Sequence, residues 1–260
     1  MKLSLPKNYN NKVIKAVAEF DLIEKGDNIL IGTSGGKDST FLLYVMKVLQ
    51  QSVSIDFEIA AVTVDLGFEN KRFIQKLREY CKILEVPYYV EKTDIAEYIL
   101  QKKKENPCAR CSYLRKGALT NFMNRHDYNK IAYGHHYDDA VITFLMSIFY
   151  SGQLKTFQPK QFLSRNKITI IRPLVYLREK EIVAGKKIMR YDPPPGPCPF
   201  DEKSKREEVK DKFKEFLNDK QIFYNLVAAM RSEGSTELWP PPPDPENIGD
   251  KMKKFWKKSK

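Results

Sequence analysis

The chain has 260 residues, and its 42% hydrophobic content supplies enough apolar material for one large α/β domain, with or without a small appendage. Lysine and arginine number 45 against 33 aspartates and glutamates, and the net charge of +12 favours a polyanion such as nucleic acid as a partner. No apolar run approaches the ~18 residues of a membrane helix, and the N-terminus lacks the apolar segment of a signal peptide. We therefore expect a cytoplasmic protein with no membrane partner.

Helical and strand-like apolar spacings alternate along the first two thirds of the chain. They predict helices over residues 11–25, 41–49, 71–84, 94–104, 112–125 and 139–150. They predict strands over residues 29–31, 57–64, 88–91, 130–133 and 168–171, the last of these being the final strand. This alternation is typical of βαβ units, so we predict a doubly wound parallel sheet with helices on both faces. Ligands of such sheets bind beyond the carboxyl ends of the strands.

The turn after the first strand reads TSGGKDS over residues 33–39 and leads directly into a helix. A helix start offers unpaired N–H groups and a positive partial charge to a phosphate, and paired glycines allow close backbone approach. The Walker A pattern is not met, because Asp38 follows Lys37. The alternative is a glycine-rich connection capped by Asp38 or Ser39. The candidate phosphate-binding residues are Thr33, Ser34, Gly35, Gly36, Lys37, Asp38 and Ser39.

Three cysteines have unusual surroundings. Cys108 and Cys111 form a C-x-x-C pair where a helix is predicted to open, which favours thiolate. Cys198 lies in a proline-rich loop whose backbone is restricted before any ligand binds. Three thiolates suit an iron–sulfur cluster with one open iron; a structural zinc site with a histidine ligand and a metal-free persulfide relay are the alternatives. Cys81 is predicted to be a core residue.

The turn over residues 33–39 resembles the pyrophosphate loop of the ATP pyrophosphatases, which cleave ATP between its α and β phosphates and adenylylate an acceptor. The turn, the C-x-x-C with its basic helix, GHHYDD at 134–139, IRPL at 171–174 and the late cysteine come in the order seen in the tRNA 2-thiocytidine synthetase (TtcA-like) family. The resemblance covers roughly residues 10–235. It implies ATP, Mg²⁺ and a [4Fe-4S] cluster held by Cys108, Cys111 and Cys198.

Further site residues are expected at the strand ends. Asp65, Gly134 and His135 are expected beside the nucleotide. Asp138 and Asp139 are expected to hold Mg²⁺ or to orient the acceptor base, although Asp138 could instead cap the following helix.

Some of these residues are also predicted to act in catalysis. His136 suits a structural role as well as a functional one. Arg115, with Lys116, is expected to meet a phosphate or the activated base, unless this helix face is merely solvated. The predicted catalytic residues are Lys37, Asp38, Asp138, Asp139 and Arg115.

The resemblance implies a reaction in which the carbonyl oxygen of a tRNA pyrimidine, cytidine in that family, attacks the α phosphate and sulfide then displaces AMP. The expected partners are tRNA and either sulfide or a sulfur-donor protein, with a homodimer left open. The alternatives are a 2-thiouridine or 4-thiouridine synthetase, an amide- or lysidine-forming ligase, and a redox-sensing nucleotide- and RNA-binding module without turnover.

The composition changes near residue 190, which predicts two parts. Residues 1–190 are predicted to form the nucleotide-binding and catalytic domain. Residues 191–260 are predicted to form a small extension with Cys198, charged helices up to about 219, a helix over 222–231 and a basic tail. We expect the terminal lysines to be mobile, and Phe255 and Trp256 among them suit stacking on RNA bases.

Overall fold

The computed structural model describes residues 3–68, 71–101, 107–192, 205–231 and 243–256. These residues contain six strands and eleven helices. The strands are β1 (Asn28–Gly32), β2 (Glu58–Asp65), β3 (Tyr88–Lys92), β4 (Lys130–Ala132), β5 (Lys160–Leu163) and β6 (Ile168–Ile171). The helices are α1 (Lys7–Glu19), α2 (Lys37–Ser52), α3 (Lys71–Ile83), α4 (Ile95–Gln101), α5 (Pro107–Arg125), α6 (Tyr137–Ser151), α7 (Glu179–Met189), α8 (Lys205–Lys212), α9 (Lys214–Asn218), α10 (Lys220–Ala229) and α11 (Pro245–Phe255). None of the helices in this part of the chain has the length and hydropathy that a bilayer span requires.

The strands form one sheet in the order β3-β2-β1-β4-β6-β5, in which only β5 is antiparallel to its neighbour. The chain builds outward from β1 through β2 to β3 and then returns to place β4 on the other side of β1. The register pairs Ile31 with Ala132, so β1 and β4 end at the same level. The segments that follow these two strands therefore leave the sheet side by side, which is where doubly wound folds bind ligands.

Successive residues of β1 point to opposite faces of the sheet, and both faces are covered. Ile29 and Ile31 lie in the larger core with the apolar sides of α1 and α2. Leu30 lies in a smaller core with Leu119 and Phe122 of α5. Both layers exclude water from the strands, which confirms the predicted doubly wound sheet with helices on both faces.

Three features differ from the sequence-based prediction. The first helix ends at Glu19 and not near residue 25, because Asp21 takes a left-handed conformation with φ of 47°. Strand β5 was missed because it is a short edge strand with no fully buried residue. Helix α7 was missed because only Ile182, Gly185 and Met189 face the core. Residues 102–104, Cys198 and the lysines at 257, 258 and 260 lie outside the described residues.

The C-terminal segment up to Trp256 is a docked helix, so the expectation of a mobile tail is wrong for α11. This helix packs against α1, and Ile248 and Phe255 are buried in the larger core. Phe255 is only 7% exposed and is therefore not available to stack on a base, whereas Trp256 is 46% exposed. The predicted boundary near residue 190 stays a prediction.

Replacing Phe255 with alanine should lower the free energy of unfolding by about 3 kcal/mol, since a buried aromatic ring is removed from the core. Trp256→Ala is the matched control and should change stability by no more than about 0.5 kcal/mol, because its ring is largely exposed. Urea unfolding followed by far-UV circular dichroism measures both. Equal stabilities for the two variants would mean that α11 does not pack on α1 in solution.

Candidate functional site

The glycine turn after β1 is shaped by one steric requirement and three hydrogen bonds. Gly35 has φ of 74°, and a Cβ atom there would lie 1.9 Å from the ring of Phe73, so only glycine fits. The Ser39 hydroxyl accepts from the Ser34 N–H at 3.2 Å, lies 3.3 Å from the Ser34 hydroxyl and donates to the Gly36 carbonyl at 3.2 Å. These contacts close the turn into a loop directly before the first N–H groups of α2.

Thr33 anchors the turn to the sheet. Its side chain is 3% exposed, and its hydroxyl donates to the carbonyl of Val62 at 2.9 Å and lies 2.9 Å from the hydroxyl of Thr63. The hydroxyl of Thr33 thus ties β1 to β2. The structure gives this residue a part in positioning the loop.

Gly134 lets the segment after β4 touch this turn. A Cβ atom at this position would lie 2.8 Å from both the backbone carbon and the carbonyl oxygen of Asp38, and 3.0 Å from the nitrogen of Ser39. Contacts this short with backbone cannot be relieved by rotating a side chain. The two loops predicted to meet at the carboxyl edge of the sheet do meet, and Gly134 is the point of contact.

Gly134→Ala should therefore displace the glycine turn and lower kcat/KM for ATP by about 100-fold, because misplacement by about 1 Å costs that much in a preorganised site. Gly249→Ala is the matched control, since a Cβ there meets nothing within 4 Å. Initial rates of AMP formation against ATP concentration, with tRNA and sulfide present, give both values. Thermal unfolding checks that the Gly134 variant remains folded; wild-type kinetics in this variant would contradict the contact.

Lys37, at the start of α2, is held by two carboxylates. Its Nζ lies 3.1 Å from an oxygen of Asp38 and 3.1 Å from an oxygen of Glu179. Burial alone would lower the pKa of Lys37, but the attraction of these two carboxylates outweighs burial and raises the pKa above its usual value. The lysine is consequently charged at neutral pH and suits an anionic ligand.

A cavity of about 390 Å³ opens in front of Lys37. Its walls come from the starts of α2, α6 and α7, from one side of α8 and from α9. The polar and charged residues of the lining include Lys37, Asp38, His136, Asp138, Asp139, Glu179, Arg206 and Lys210.

Asp138 connects α6 to the start of α7. One carboxylate oxygen accepts from Arg178 Nε at 3.0 Å, and the other accepts from the backbone N–H of Glu179 at 2.7 Å. The guanidinium of Arg178 also lies 3.3 Å from the ring centre of Phe223. Asp138 therefore fixes the position of Glu179, which in turn contacts Lys37.

Asp139, and not Asp138, is the capping carboxylate of α6. It accepts from the backbone N–H of His136 at 3.0 Å and from Arg206 Nη1 at 2.9 Å. Burial would raise the pKa of Asp139, but His136 and Arg206 outweigh burial and lower it. His136 is 4% exposed, with Nε2 3.4 Å from Asp139.

Two buried polar atoms beside the cavity have no hydrogen-bond partner among the described residues. They are Oδ1 of Asp38 and Nδ1 of His136. Unpaired buried polar atoms are costly, so such atoms indicate a missing ligand, ion or water. A nucleotide with its Mg²⁺ ion fits this part of the cavity on that ground.

His135 follows Gly134 and is neutral at physiological pH. Burial, reinforced by the charge of Arg172, lowers the pKa of His135 to about 3. Its Nδ1 accepts a hydrogen bond from Arg172 Nε at 3.2 Å, and the guanidinium lies 4.8 Å from the ring centre of Phe157.

Asp65 lies at the end of β2 on the same edge of the sheet, where its carboxylate accepts from the N–H of Gly67 at 3.1 Å.

The C-x-x-C pair opens α5 as predicted, one residue after the helix begins at Pro107. Cys108 is exposed and Cys111 is half-buried. Positions 108, 111 and 115 share one helix face. Burial raises the pKa of Tyr133, the residue after β4, to about 12, and the charges of Arg172 and Arg115 oppose this rise. The cysteine end of α5 thus lies toward the carboxyl edge of the sheet.

The structure does not bring the cysteines into the cavity in front of Lys37, since neither Cys108 nor Cys111 lines it. No group of three His, Cys, Asp or Glu side chains in the described ranges has the arrangement of a metal site. Cys198 lies outside these ranges. A shared opening for the turn and the three cysteines stays a prediction. Cys81 is 1% exposed, which confirms its assignment to the core.

The sequence analysis did not identify Arg178, which binds Asp138, or the cavity residues Glu179, Arg206 and Lys210. A signal existed for the first two, because Arg178 and Glu181 have the spacing of a helix capping box, and the Glu181 carboxylate accepts from the Arg178 N–H at 2.9 Å. No comparable signal marks α8, whose alternating charges are typical of a solvated helix.

Comparison with known proteins identifies the family. The sequence pattern of the PP-loop domain matches residues 6–192, which is most of the chain. The chain belongs to the PP-loop family. A relative named tRNA-cytidine(32) 2-sulfurtransferase, from Alcanivorax borkumensis, is 32% identical over 249 residues, covering 90% of this chain and 84% of the relative. Another protein of that name, from Pelobacter propionicus, is 38% identical over 184 residues, covering 70% and 68% of the two chains.

Among solved structures, the PP-loop chain is similar to the U34-tRNA thiolase NcsA from Methanococcus maripaludis, determined with its [4Fe-4S] cluster. The TM-score is 0.68 at 20% identity, over 84% of this chain and 76% of that one. This likeness supports the fold. The family resemblance and the PP-loop architecture predicted from the sequence are both confirmed.

Proposed function

We propose that this PP-loop protein is an ATP-dependent tRNA sulfurtransferase that replaces the carbonyl oxygen of a cytidine with sulfur. The observation that carries the proposal is the anion-binding turn at Lys37 in a chain that also places a C-x-x-C at the start of α5. The names of relatives at 32–38% identity, tRNA-cytidine(32) 2-sulfurtransferase, favour the same chemistry.

The glycine turn suits the binding of a triphosphate. The N–H groups at the start of α2 and the charge of Lys37 both favour anionic oxygen at the mouth of the turn. The carboxylate of Glu179 forms an ion pair with Lys37 Nζ at 3.1 Å and a second ion pair with Lys210 Nζ at 2.9 Å. We propose that phosphate oxygens take the place of Glu179 on Lys37 while Lys210 keeps that carboxylate neutralised. The unpaired Oδ1 of Asp38 would then face Mg²⁺ or its water ligands.

The first chemical step is adenylation of the base. The carbonyl oxygen of the pyrimidine attacks the α phosphorus, the bond to the bridging oxygen of the β phosphate breaks, and pyrophosphate leaves with that electron pair. Lys37 and the N-terminus of α2 stabilise the charge that develops on the leaving group. Asp138 and Asp139 orient the walls of the cavity through Arg178 and Arg206. Gly134, His135 and Asp65 are proposed to lie beside the nucleotide.

The second step exchanges sulfur for oxygen, so that AMP departs with the original carbonyl oxygen. Cys108 and Cys111, with Cys198, form a donor set of soft thiolates that fits a [4Fe-4S] cluster, and such a cluster would supply an open iron to carry sulfide. Arg115 lies on the same helix face as the cysteines and is proposed to contact a phosphate or the activated base. We also propose that the sulfur comes from sulfide or a sulfur-donor protein, and that the protein is cytoplasmic and forms a homodimer.

The assay that tests the proposal is the conversion of ATP to AMP and pyrophosphate by the purified chain, with and without tRNA and sulfide. An enzyme of this kind should form AMP only when tRNA is present, with sulfide required for repeated turnover. A nucleotide-binding module would form none under any condition. Formation of AMP with an amine acceptor in place of sulfide would indicate a PP-loop ligase.

A further inference from the structure

An exposed aromatic surface lies at the end of α6 and the start of α9, two of the helices that wall the cavity. We define the aromatic patch as Phe149 and Tyr150 at the end of α6, and Phe213 and Phe216 around the start of α9. The rings of Phe149 and Phe213 are stacked with centroids 5.1 Å apart, and Phe213 lies 6.0 Å from Phe216. Three of the four side chains are about half exposed: Phe149 at 51%, Tyr150 at 54% and Phe216 at 50%.

Positive charge borders this patch. Lys205 Nζ lies 5.9 Å from the ring centre of Tyr150. Lys205 and Lys212 share the single carboxylate of Glu208, at 3.1 and 2.6 Å, so these three described side chains together carry one excess positive charge. Both lysine side chains are more than 60% exposed, and exposed ion pairs of this kind are weak enough to be exchanged for a phosphate.

The segment that contains the end of α6 has an unusual charge pattern. Residues 140–178 include six lysines and arginines and no aspartate or glutamate. The same segment returns to the site, because the Thr156 hydroxyl donates to the carbonyl of Ala140 at 2.8 Å and Phe157 lies 5.1 Å from the His135 ring. Exposed aromatic rings bordered by lysines complement a polyanion that has flat faces, which describes RNA better than a protein partner.

The patch is continuous with the cavity through α6 and α9. Asp139 lines the cavity at the start of α6, and Phe149 lies ten residues later, or about 15 Å along the helix. Leu217 lines the cavity and is the neighbour of Phe216 in the chain. A polynucleotide that presents one base to the cavity would pass over these rings.

We infer that the aromatic patch, with Lys205 and Lys212, is a docking surface for an unpaired segment of RNA whose bases stack on the exposed rings. Bases in a duplex have their faces covered, whereas bases in a loop or bulge can be splayed onto aromatic side chains. This inference rests on the proposed function and deepens it, since it names the surface that receives the tRNA next to the reacting base.

The test measures the Kd of the full-length chain for a fluorescein-labelled, unmodified tRNA transcript by fluorescence anisotropy at fixed salt. Tyr150→Ala and Phe216→Ala should each raise Kd about fivefold or more, because stacking of one base is worth about 1–3 kcal/mol. Tyr98→Ala is the control, an aromatic on α4 that is 41% exposed and lies outside the patch, and should leave Kd unchanged. Lys205→Ala should reduce the slope of log Kd against log salt concentration by about 1. Isothermal titration with ATP should give the wild-type affinity in every variant.

The outcomes separate the two claims. A wild-type chain that does not bind the transcript at all would overturn the proposed function, and this inference with it. Wild-type binding that persists unchanged in Tyr150→Ala and Phe216→Ala would overturn the docking surface alone. Sedimentation velocity tests whether a second copy of the chain binds the patch instead. A dimer that dissociates in Phe149→Ala, with tRNA affinity unchanged, would assign the patch to this second copy and contradict our inference.

Discussion

Lys37→Ala is expected to lower the rate of tRNA-dependent pyrophosphate release by about 100- to 1,000-fold, because it removes the charged donor that faces the leaving group. The measurement is single-turnover release of labelled pyrophosphate at saturating ATP. Iron content and the visible absorbance of an anaerobically reconstituted sample should match those of the wild type, since neither Cys108 nor Cys111 lines the cavity in front of Lys37. An unaltered release rate would mean that the turn does not bind the leaving phosphates.

The control for this variant is Lys12→Ala. Lys12 also contacts a carboxylate of α7, with its Nζ 2.7 Å from Glu181, and its side chain is similarly exposed at 38%. It does not line the cavity. Both variants lose one ion pair to the same helix, so a loss of activity confined to Lys37→Ala isolates the effect of the charge in front of the turn from any effect on the stability of α7.

The cysteine variants should show the opposite pattern. Cys111→Ala and Cys198→Ala are each expected to abolish tRNA thiolation and to lose the bound iron, while one equivalent of pyrophosphate per chain is still released. Cys81→Ala is the matched control: burial raises the pKa of this thiol to about 12, so it stays protonated and is no metal ligand. Iron content, pyrophosphate release and nucleoside mass spectrometry are measured on the same samples.

Three results would revise the sulfur half of the mechanism in different ways. Reconstituted wild-type protein without iron and with one zinc ion would favour a structural zinc site. Wild-type protein without any metal but with a persulfide on one cysteine would favour a relay. Thiolation retained in both cysteine variants would mean that these thiolates take no part in the reaction.

Strong local patterns explain why much of the fold was predictable. The apolar residues 29–31 had to be buried on both sides, which placed them in a central strand with a helix on each face. The glycine pair at 35 and 36 had few conformations to choose from other than a tight turn. Contact of this turn with Gly134 also followed, because parallel strands end at one edge of the sheet.

Residues that depend on distant packing were not predictable in the same way. Glu179 reaches Lys37 because Asp138 holds the start of α7, a contact 41 residues apart in sequence. Arg206 reaches Asp139 across 67 residues. Side-chain type and spacing within one element carry no information about such partners.

The docked C-terminal helix was misjudged, although its sequence contained a signal. Ile248, Met252 and Phe255 have the spacing of one helix face, and all three contact the larger core. The prolines at 240–243 and the surrounding lysines indicated a tail when considered alone. Composition therefore outweighed periodicity in that prediction, and the periodicity was the better guide.

The central claim is that one chain couples ATP cleavage at Lys37 to transfer of sulfide at a cluster that Cys108, Cys111 and Cys198 would hold. The most direct test is nucleoside mass spectrometry of tRNA reacted with the reconstituted chain, ATP and sulfide. We expect 2-thiocytidine in the digested tRNA, with one AMP formed per thiolated nucleoside and with both products formed about 100-fold or more slowly by Lys37→Ala. AMP formed in amounts unrelated to any thiolated nucleoside, or a thiolated nucleoside formed without ATP, would contradict this claim.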